Sequence, residues 1–313
     1  MAKPLVSVII AARNESDKLE ACVRSLGAQR ASFSFEAILV DNRSTDSTLR
    51  LARSLARNRP WLHATSEPKA GTPRARNRGA RVSRGKILVF TDADCTFTQG
   101  WLEELTRPLR RRGPLPVAAV GGSVESAYLV PEQPNAWEQE LDRVFQRWES
   151  DRTEKFPGFL PWAPTCNLAV KKSVFEELGG FDENWRLQGY DSDFCWRLQA
   201  SGWLLAYSEK ARVKHRRRHT ASGFLRQMRS YGLFNSSLLS EWFKCRGFSP
   251  VKVWKNRWEA GIRRTLSQPE IHPVALAGRA FHLWGCLEKN WKMVHGSPRF
   301  ASQRRGDAPR SPE

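Results

Sequence analysis

Pairs of carboxylates two residues apart stand at two places in this chain where they can do chemistry. "FTDADC" (90–95) sets Asp92 and Asp94 at the end of an apolar run. "LQGYDSDFCWRLQASG" (187–202) sets Asp191 and Asp193 just ahead of an amphipathic run. Past a strand end the chain turns, so Asp92 and Asp94 can serve different ligands. One can meet a ribose hydroxyl and the other a hard divalent cation held on diphosphate oxygens. The plainer alternative is a solvated turn whose Asp side chains bond their own backbone. Asp191 also has two readings: a general base that takes a proton from a substrate, or a carboxylate that satisfies the orphan N–H groups of a helix start.

Three other stretches carry polar groups of the right kind. In "VDNRSTDST" (40–48), Asp41 closes an apolar run and can accept hydrogen bonds from a base edge, while Asp46 reads as a helix cap. "GTPRARNRG" (71–79) is a basic turn whose cations can approach phosphates or simply face solvent. His215 and His219 in "VKHRRRH" are four residues apart, but no HExxH glutamate accompanies them, which argues against a zinc site of that kind.

The elements that position these groups follow from hydrophobic patterning. Residues 5–12, 35–42 and 86–94 predict buried strands, with a shorter one near 61–67. Helical spacing lies between them, as in Leu19, Cys22, Val23 and Leu26. Strands alternating with helices predict a largely parallel sheet with crossover helices, whose ligands sit beyond the carboxyl ends of the strands. Arg13-Asn14-Glu15, Asp41-Asn42 and Asp92-Ala93-Asp94 should therefore converge on one crevice. Further on, 116–126 reads as a strand, 134–151 as a helix, and 156–170 as a Pro-rich loop entering a strand. A helix from Lys171 should stop at Gly179-Gly180, and helices are expected over 224–245, 251–265 and 274–295.

Composition bounds the function classes. The chain has 313 residues, 40% hydrophobic and 27% charged, a globular rather than a disordered balance. Its six cysteines show no CxxC spacing and read as thiols in a reducing compartment. The opening apolar run meets a charge too soon for a leader and reads as a strand, and no stretch has the length of a membrane span. A cytoplasmic location is expected. The net charge of +19 is unevenly spread: residues 1–209 hold 29 Lys and Arg against 26 Asp and Glu, whereas residues 210–313 hold 22 against 6. The basic final third predicts an anionic partner.

Five ordered motifs together carry a resemblance. "VSVIIAARNESDKLEACVRSL", "ILVDNRSTDST", "GTPRARNRGARVSRGKILVFTDADC", "TCNLAVKKSVFEELGGFDE" and "GYDSDFCWRLQASGW" occur in the order and rough spacing seen in family 2 glycosyltransferases. The match covers about residues 5–235. The resemblance implies an α/β glycosyltransferase A-type fold, a Rossmann-like nucleotide-sugar-binding mixed sheet flanked by helices, here with a helical basic C-terminal extension. It implies sugar transfer from a nucleotide-diphosphate donor, usually with inversion and with Mg²⁺ or Mn²⁺. By position, Ala11, Arg13 and Glu15 would line the nucleotide pocket, Asp41 would meet the base, and Arg76 would approach the donor. Asp92 with Ala93 would sit near the ribose, Asp94 and His215 would hold the metal, and Asp191 would be the base. Trp162, Asn167 and Tyr190 are the candidates for the acceptor side. One departure stands out: the family often has Glu-Asp before this helix, and here Tyr190 replaces the Glu.

The expected organisation is a catalytic domain over 1–223, a basic, aromatic-rich helical region over 224–295 and a disordered tail over 296–313. In the second region Trp242, Phe243, Trp254, Trp258 and Ile262 alternate with basic residues. That pattern suits the anionic inner face of a membrane, or else packing against the catalytic domain. The expected acceptor is a lipid-linked or cell-envelope glycan, and no specific nucleic acid is expected as a partner. A rival reading is a non-catalytic protein on a glycosyltransferase-like fold that binds nucleic acid or other anions. It lacks any recognisable nucleic-acid-binding motif, and Asp92, Asp94 and Asp191 are all present.

Overall fold

The apolar runs of the first ninety residues form strands covered on both faces. The structure is a computed structural model that describes residues 3–111, 115–127, 161–184 and 189–216, with 225–226 and 229–230 beyond them. Nearly all of these lie in the first of two compact units, Met1–Gly223 and Phe224–Glu313. Strand β1 (Val6–Ala12) runs parallel to β2 (Phe35–Asp41) on one side and to β4 (Ile87–Asp92) on the other, and β3 (Leu62–Ser66) continues the parallel set beside β2. All seven β1 residues are buried. Val6, Val8, Ile10 and Ala12 pack on one face with Leu19, Cys22, Val23 and Leu26 of helix α1 (Leu19–Gly27) and with Ala52 and Leu55 of α2 (Thr48–Arg57). Ile9 and Ala11 point to the other face, toward α3 (Thr72–Val82). Two covered faces explain why β1 reads as a continuous apolar run rather than an alternating one. Gly79 lets α3 approach closely, since a Cβ there would lie 2.4 Å from Ile9 Cγ2.

The second half completes a sheet in the order β3-β2-β1-β4-β7-β6-β8-β5 among the described residues. Its members are β5 (Cys95–Phe97), β6 (Val117–Ala127), β7 (Leu168–Lys171) and β8 (Leu204–Arg216). Strand β7 is antiparallel to both β4 and β6, and β5 is antiparallel to β8, so the sheet is mixed. The flanking helices here are α4 (Trp101–Arg110), α5 (Lys172–Glu177) and α6 (Tyr190–Ala200). Helix α5 ends just before Gly179 and Gly180, both at positive φ, where the sequence predicts its stop. No helix among the described residues is long and apolar enough to cross a membrane. The helices expected over 134–151, 251–265 and 274–295, the tail 296–313, and all but four residues of 224–245 lie outside the described residues.

Candidate functional site

The parallel registers settle where the strand-end polar groups meet. Ala11 pairs with Asp92 across β1 and β4, and Ala12 pairs with Asp41 across β1 and β2. The three turns that follow therefore leave the sheet side by side. Asn14 sits at φ 56° and ties the first turn to the second, its Oδ1 accepting from Thr45 N at 2.8 Å. Asp46 completes that tie by accepting from Thr48 N at 2.9 Å and from Ser16 Oγ at 2.8 Å. Its slight burial is outweighed by these bonds, which bring its pKa down to about 2. Asp46 is thus a loop anchor at the head of α2.

Asp41 and Asn42 divide two tasks. The Asn42 carboxamide donates to Glu67 O and Lys69 O and accepts from Gly71 N at 2.8 Å, so it shapes the loop ahead of α3. Asp41 is 3% exposed; its Oδ2 accepts from Ser44 N at 3.3 Å, while its Oδ1 is buried without a partner. A buried acceptor left unmade costs about 1–3 kcal/mol, so Oδ1 suits a donor brought by a ligand.

Arg76 is the pivot of the crevice. It lies on the buried face of α3 at 1% exposure. One guanidinium nitrogen donates to Asp92 Oδ1 at the end of β4, and another donates to the Tyr190 hydroxyl at the head of α6. Its Cζ also stands 5.2 Å from the Tyr190 ring centroid. Burial opposes its charge, but Asp92, Tyr190 and Asp191 together hold its proton more firmly than in an ordinary guanidinium. Tyr190 is also buried, which pushes its pKa up to about 12, and its hydroxyl lies 3.3 Å from Thr165 Oγ1.

Helix α6 is fixed from beneath by aromatic packing. Phe194 lies 5.2 Å from Phe181 and 5.3 Å from Phe175, and Phe90 of β4 lies 4.9 Å and 5.1 Å from the same two rings. Asp193 accepts from Arg197 Nε at 2.9 Å, and Arg197 in turn donates to the carbonyls of Leu178 and Gly180. Asp193 therefore holds the helix. Asp191 stands in the first turn, half-buried, with its Oδ1 accepting from Ser192 N at 2.9 Å. The N-cap position itself is Gly189, at φ 88°. Asp191 is a first-turn carboxylate and does not occupy the cap.

Asp94 and His215 meet across a strand pair. Cys95 of β5 is the ladder partner of His215 of β8, which places both on one face of the sheet, and the turn before β5 brings Asp94 round to the same side. Asp94 Oδ2 lies 3.3 Å from His215 Nε2. Although burial disfavours both charges, Asp94 raises the imidazole pKa to about 10, while His215, then Lys18, keeps the Asp94 carboxyl below its usual range. One oxygen of Asp94, the Cys95 thiol and one nitrogen of His215 all lie within 4.8 Å of one another. A carboxylate and an imidazole so placed could hold a divalent cation once the imidazole gives up its proton.

The other expected site residues fall in different places. Ala11 and Ala93 are buried at the strand ends, with Ala93 N donating to Ala11 O, and Arg13 is exposed on the first turn. Glu15 is half-buried, its pKa raised by burial despite its ion pair with Lys18 at 2.5 Å. Trp162 is half-buried on the segment entering Thr165. Asn167 is fully buried. Its Nδ2 donates to Ser123 O and Ala211 O, each at 2.8 Å, and its Oδ1 accepts from Trp101 Nε1 at 2.9 Å. It joins β6, β8 and α4, an engagement that fills the carboxamide.

Four residues near the crevice were not singled out from the sequence: Lys18, Cys95, Cys166 and Arg216. Lys18 pairs with Glu15 and Asp17, and Arg216 pairs with Asp17 at 3.3 Å while its backbone N donates to Asp94 O. Adjacency to Asp94 and to His215 was the available signal for Cys95 and Arg216. Nothing in the sequence places Cys166 beside Cys95.

Comparisons with known proteins show the family and the fold. The family model described as Glycosyl transferase family 2 matches residues 7–179. The chain is 31% identical over 210 residues to Glycosyltransferase AglE of Haloferax volcanii, covering 66% of this chain and 64% of that protein. It is 29% identical over 224 residues to the O-antigen biosynthesis protein RfbC of Myxococcus xanthus, covering 68% of this chain and 17% of that protein. The match thus spans less than two thirds of either relative. Among solved structures, the mannosyltransferase PcManGT of Pyrobaculum calidifontis, in complex with GDP-Man and Mn²⁺, superposes with a TM-score of 0.55. That match has 20% identity and covers 95% of this chain and 77% of that one, a likeness of fold.

Proposed function

Because this chain belongs to glycosyl transferase family 2, we propose that it transfers a sugar from a nucleotide-diphosphate donor to an acceptor hydroxyl, with inversion and with Asp191 as the general base. The observation that carries this reading is the link from Asp92 through Arg76 to Tyr190, the residue before Asp191. It holds a ribose-facing carboxylate and a candidate base in one rigid frame built on β4, α3 and α6. Rigid placement is what an in-line displacement needs, because the reacting atoms must be aligned before the bond breaks.

In this reading Asp41 Oδ1 accepts a hydrogen bond from the nucleobase, Arg13 and Glu15 line the nucleotide pocket, and Asp92 binds the ribose. Asp94 and His215 hold Mg²⁺ or Mn²⁺, a choice supported by their close approach and by the Mn²⁺ in the PcManGT complex. When bound, the cation neutralises charge on the departing diphosphate. The acceptor hydroxyl gives its proton to the Asp191 carboxylate as its oxygen bonds to the anomeric carbon. The bond from that carbon to the diphosphate oxygen breaks on the opposite face. Trp162 offers an aromatic face for an acceptor sugar. We assign the acceptor to the class of lipid-linked or cell-envelope glycans, which accords with the name of the O-antigen relative and with a basic final third suited to an anionic membrane surface.

The test is Asp191→Asn, scored by released nucleoside diphosphate over a panel of sugar nucleotides with Mn²⁺ present. A positioned general base contributes about 10²–10⁴-fold, so the variant should lose at least about a hundredfold in kcat while still binding nucleotide. Transfer at the parent rate would remove Asp191 from the role, and an anomerically retained product would remove the inverting mechanism.

A further inference from the structure

The proposed cation site has an unusual neighbour. Cys95 follows Asp94 directly, is fully buried, and stands opposite His215 in the β5–β8 ladder. Its Sγ lies 3.8 Å from Asp94 Oδ1. A second thiol, Cys166 from the turn before β7, is buried in the same core cluster. Neither thiol takes part in the proposed transfer chemistry.

We propose that Cys95 is a third protein ligand of this site, which makes it a thiolate, imidazole and carboxylate centre that takes a thiophilic divalent cation such as Zn²⁺ or Co²⁺ as well as Mn²⁺. The proposal rests on the reading of Asp94 and His215 as metal ligands. Its own support is geometric: the three ligand atoms lie within 4.8 Å of one another, so one ion placed among them can reach all three. Sulfur and imidazole nitrogen select ions of the zinc type, whereas Mg²⁺ prefers oxygen throughout. A bound ion would displace the proton between Asp94 and His215 and that of the Cys95 thiol.

Cobalt(II) reports thiolate ligation directly, because a cobalt–sulfur bond gives an intense near-ultraviolet charge-transfer band that oxygen and nitrogen ligands lack. The full-length chain, stripped with a chelator, is titrated with Co²⁺ alone. One equivalent should develop the band, and Zn²⁺ should then bleach it. Cys95→Ser should keep Co²⁺ binding but lose the band and weaken Zn²⁺ binding by at least tenfold. Asp94→Asn should weaken the binding of Co²⁺ and Mn²⁺ alike. A Cys245→Ser, Cys286→Ser double variant should keep the band. Co²⁺ bound to the parent protein without the band overturns the thiolate proposal and leaves the Asp94–His215 reading intact. No binding of Co²⁺ or Mn²⁺ overturns both. The parent spectrum decides the matter even if Cys95→Ser fails to fold.

Discussion

Replacing Arg76 with Met keeps most of its volume and removes its charge and its fork of donors. The guanidinium is 1% exposed and engages Asp92 and Tyr190 together, so the cost is that of breaking a buried pair from one side. Such a break costs about 3–5 kcal/mol when the remaining partner is fully buried. Asp92 is 29% exposed and regains water, which reduces that share to about 2 kcal/mol. Losing the cation over the Tyr190 ring adds about 1 kcal/mol. The Tyr190 hydroxyl keeps Thr165 and adds little. The total is about 3 kcal/mol, and for a unit of this size each kcal/mol moves Tm by roughly 2–4 °C. Differential scanning fluorimetry should therefore find Arg76→Met melting about 6–12 °C lower. Transfer measured below that temperature should fall more steeply than the folded fraction, because Asp92 and α6 are no longer tied. Arg76→Lys should recover part of the stability and little of the activity, since an ammonium cannot span both partners. A variant melting within 2 °C of the parent and transferring at its rate would refute the assignment of Arg76 as the pivot.

A second carboxylate gives the contrasting case. Glu36, at the far end of the sheet from the crevice, accepts from Ser7 Oγ, Arg84 N and Arg84 Nε, each at 2.7 Å. Burial would raise its pKa, but Ser7 and Arg84 together lower it. Its contribution is therefore present above the unfolded carboxyl value near ~4.3 and is lost as pH falls through the folded value. Glu36→Gln should cost about 2 kcal/mol at pH 7 by chemical denaturation, with the gap to the parent closing below about pH 4 and activity per folded molecule unchanged. For the basic final third, flotation with vesicles containing anionic phospholipid should carry the protein upward at low salt and release it as salt rises. Equal recovery with neutral and anionic vesicles would remove the membrane reading.

The sequence was most legible where the physics is simplest. Strand β1 is covered on both faces, so its residues form one apolar run, and helix α1 buries the four residues its spacing singles out. The crevice followed from those strands, because parallel neighbours must end on the same side. Strand β8 was missed for the opposite reason. Its segment "LLAYSEKARVKHR" is largely half-buried or exposed, with Ala211 and Val213 its only fully buried residues, so no clear alternation survives. Missing β8 also hid why His215 meets Asp94: the contact depends on the β5–β8 ladder, and β5 is three residues long. The basic stretch 71–79 allows cations toward phosphates or toward solvent, because composition gives charge and not direction. The place of Arg76 on the buried face of α3 follows from the same turn of helix that buries Ala75, Gly79 and Ala80.

Tyr190 shows how a substitution at one position redistributes charge through the site. The family's usual Glu would place a carboxylate before Asp191, whereas here a buried phenol accepts from Arg76. A protonated phenol leaves Arg76 with one formal countercharge in direct contact, Asp92. The rest of its field acts on the next carboxylate along, and Asp191 is among the groups that hold the Arg76 proton in place. Asp191 and Arg76 therefore stabilise each other's charges across the head of α6. The departure from the family pattern thus leaves the carboxylate of Asp191 in place, with Arg76 as its cationic neighbour. Tyr190 is 8% exposed and its hydroxyl faces Arg76 and Thr165, so under the proposed reading it would bear on the acceptor through the placing of α6 and not by presenting its hydroxyl to the surface.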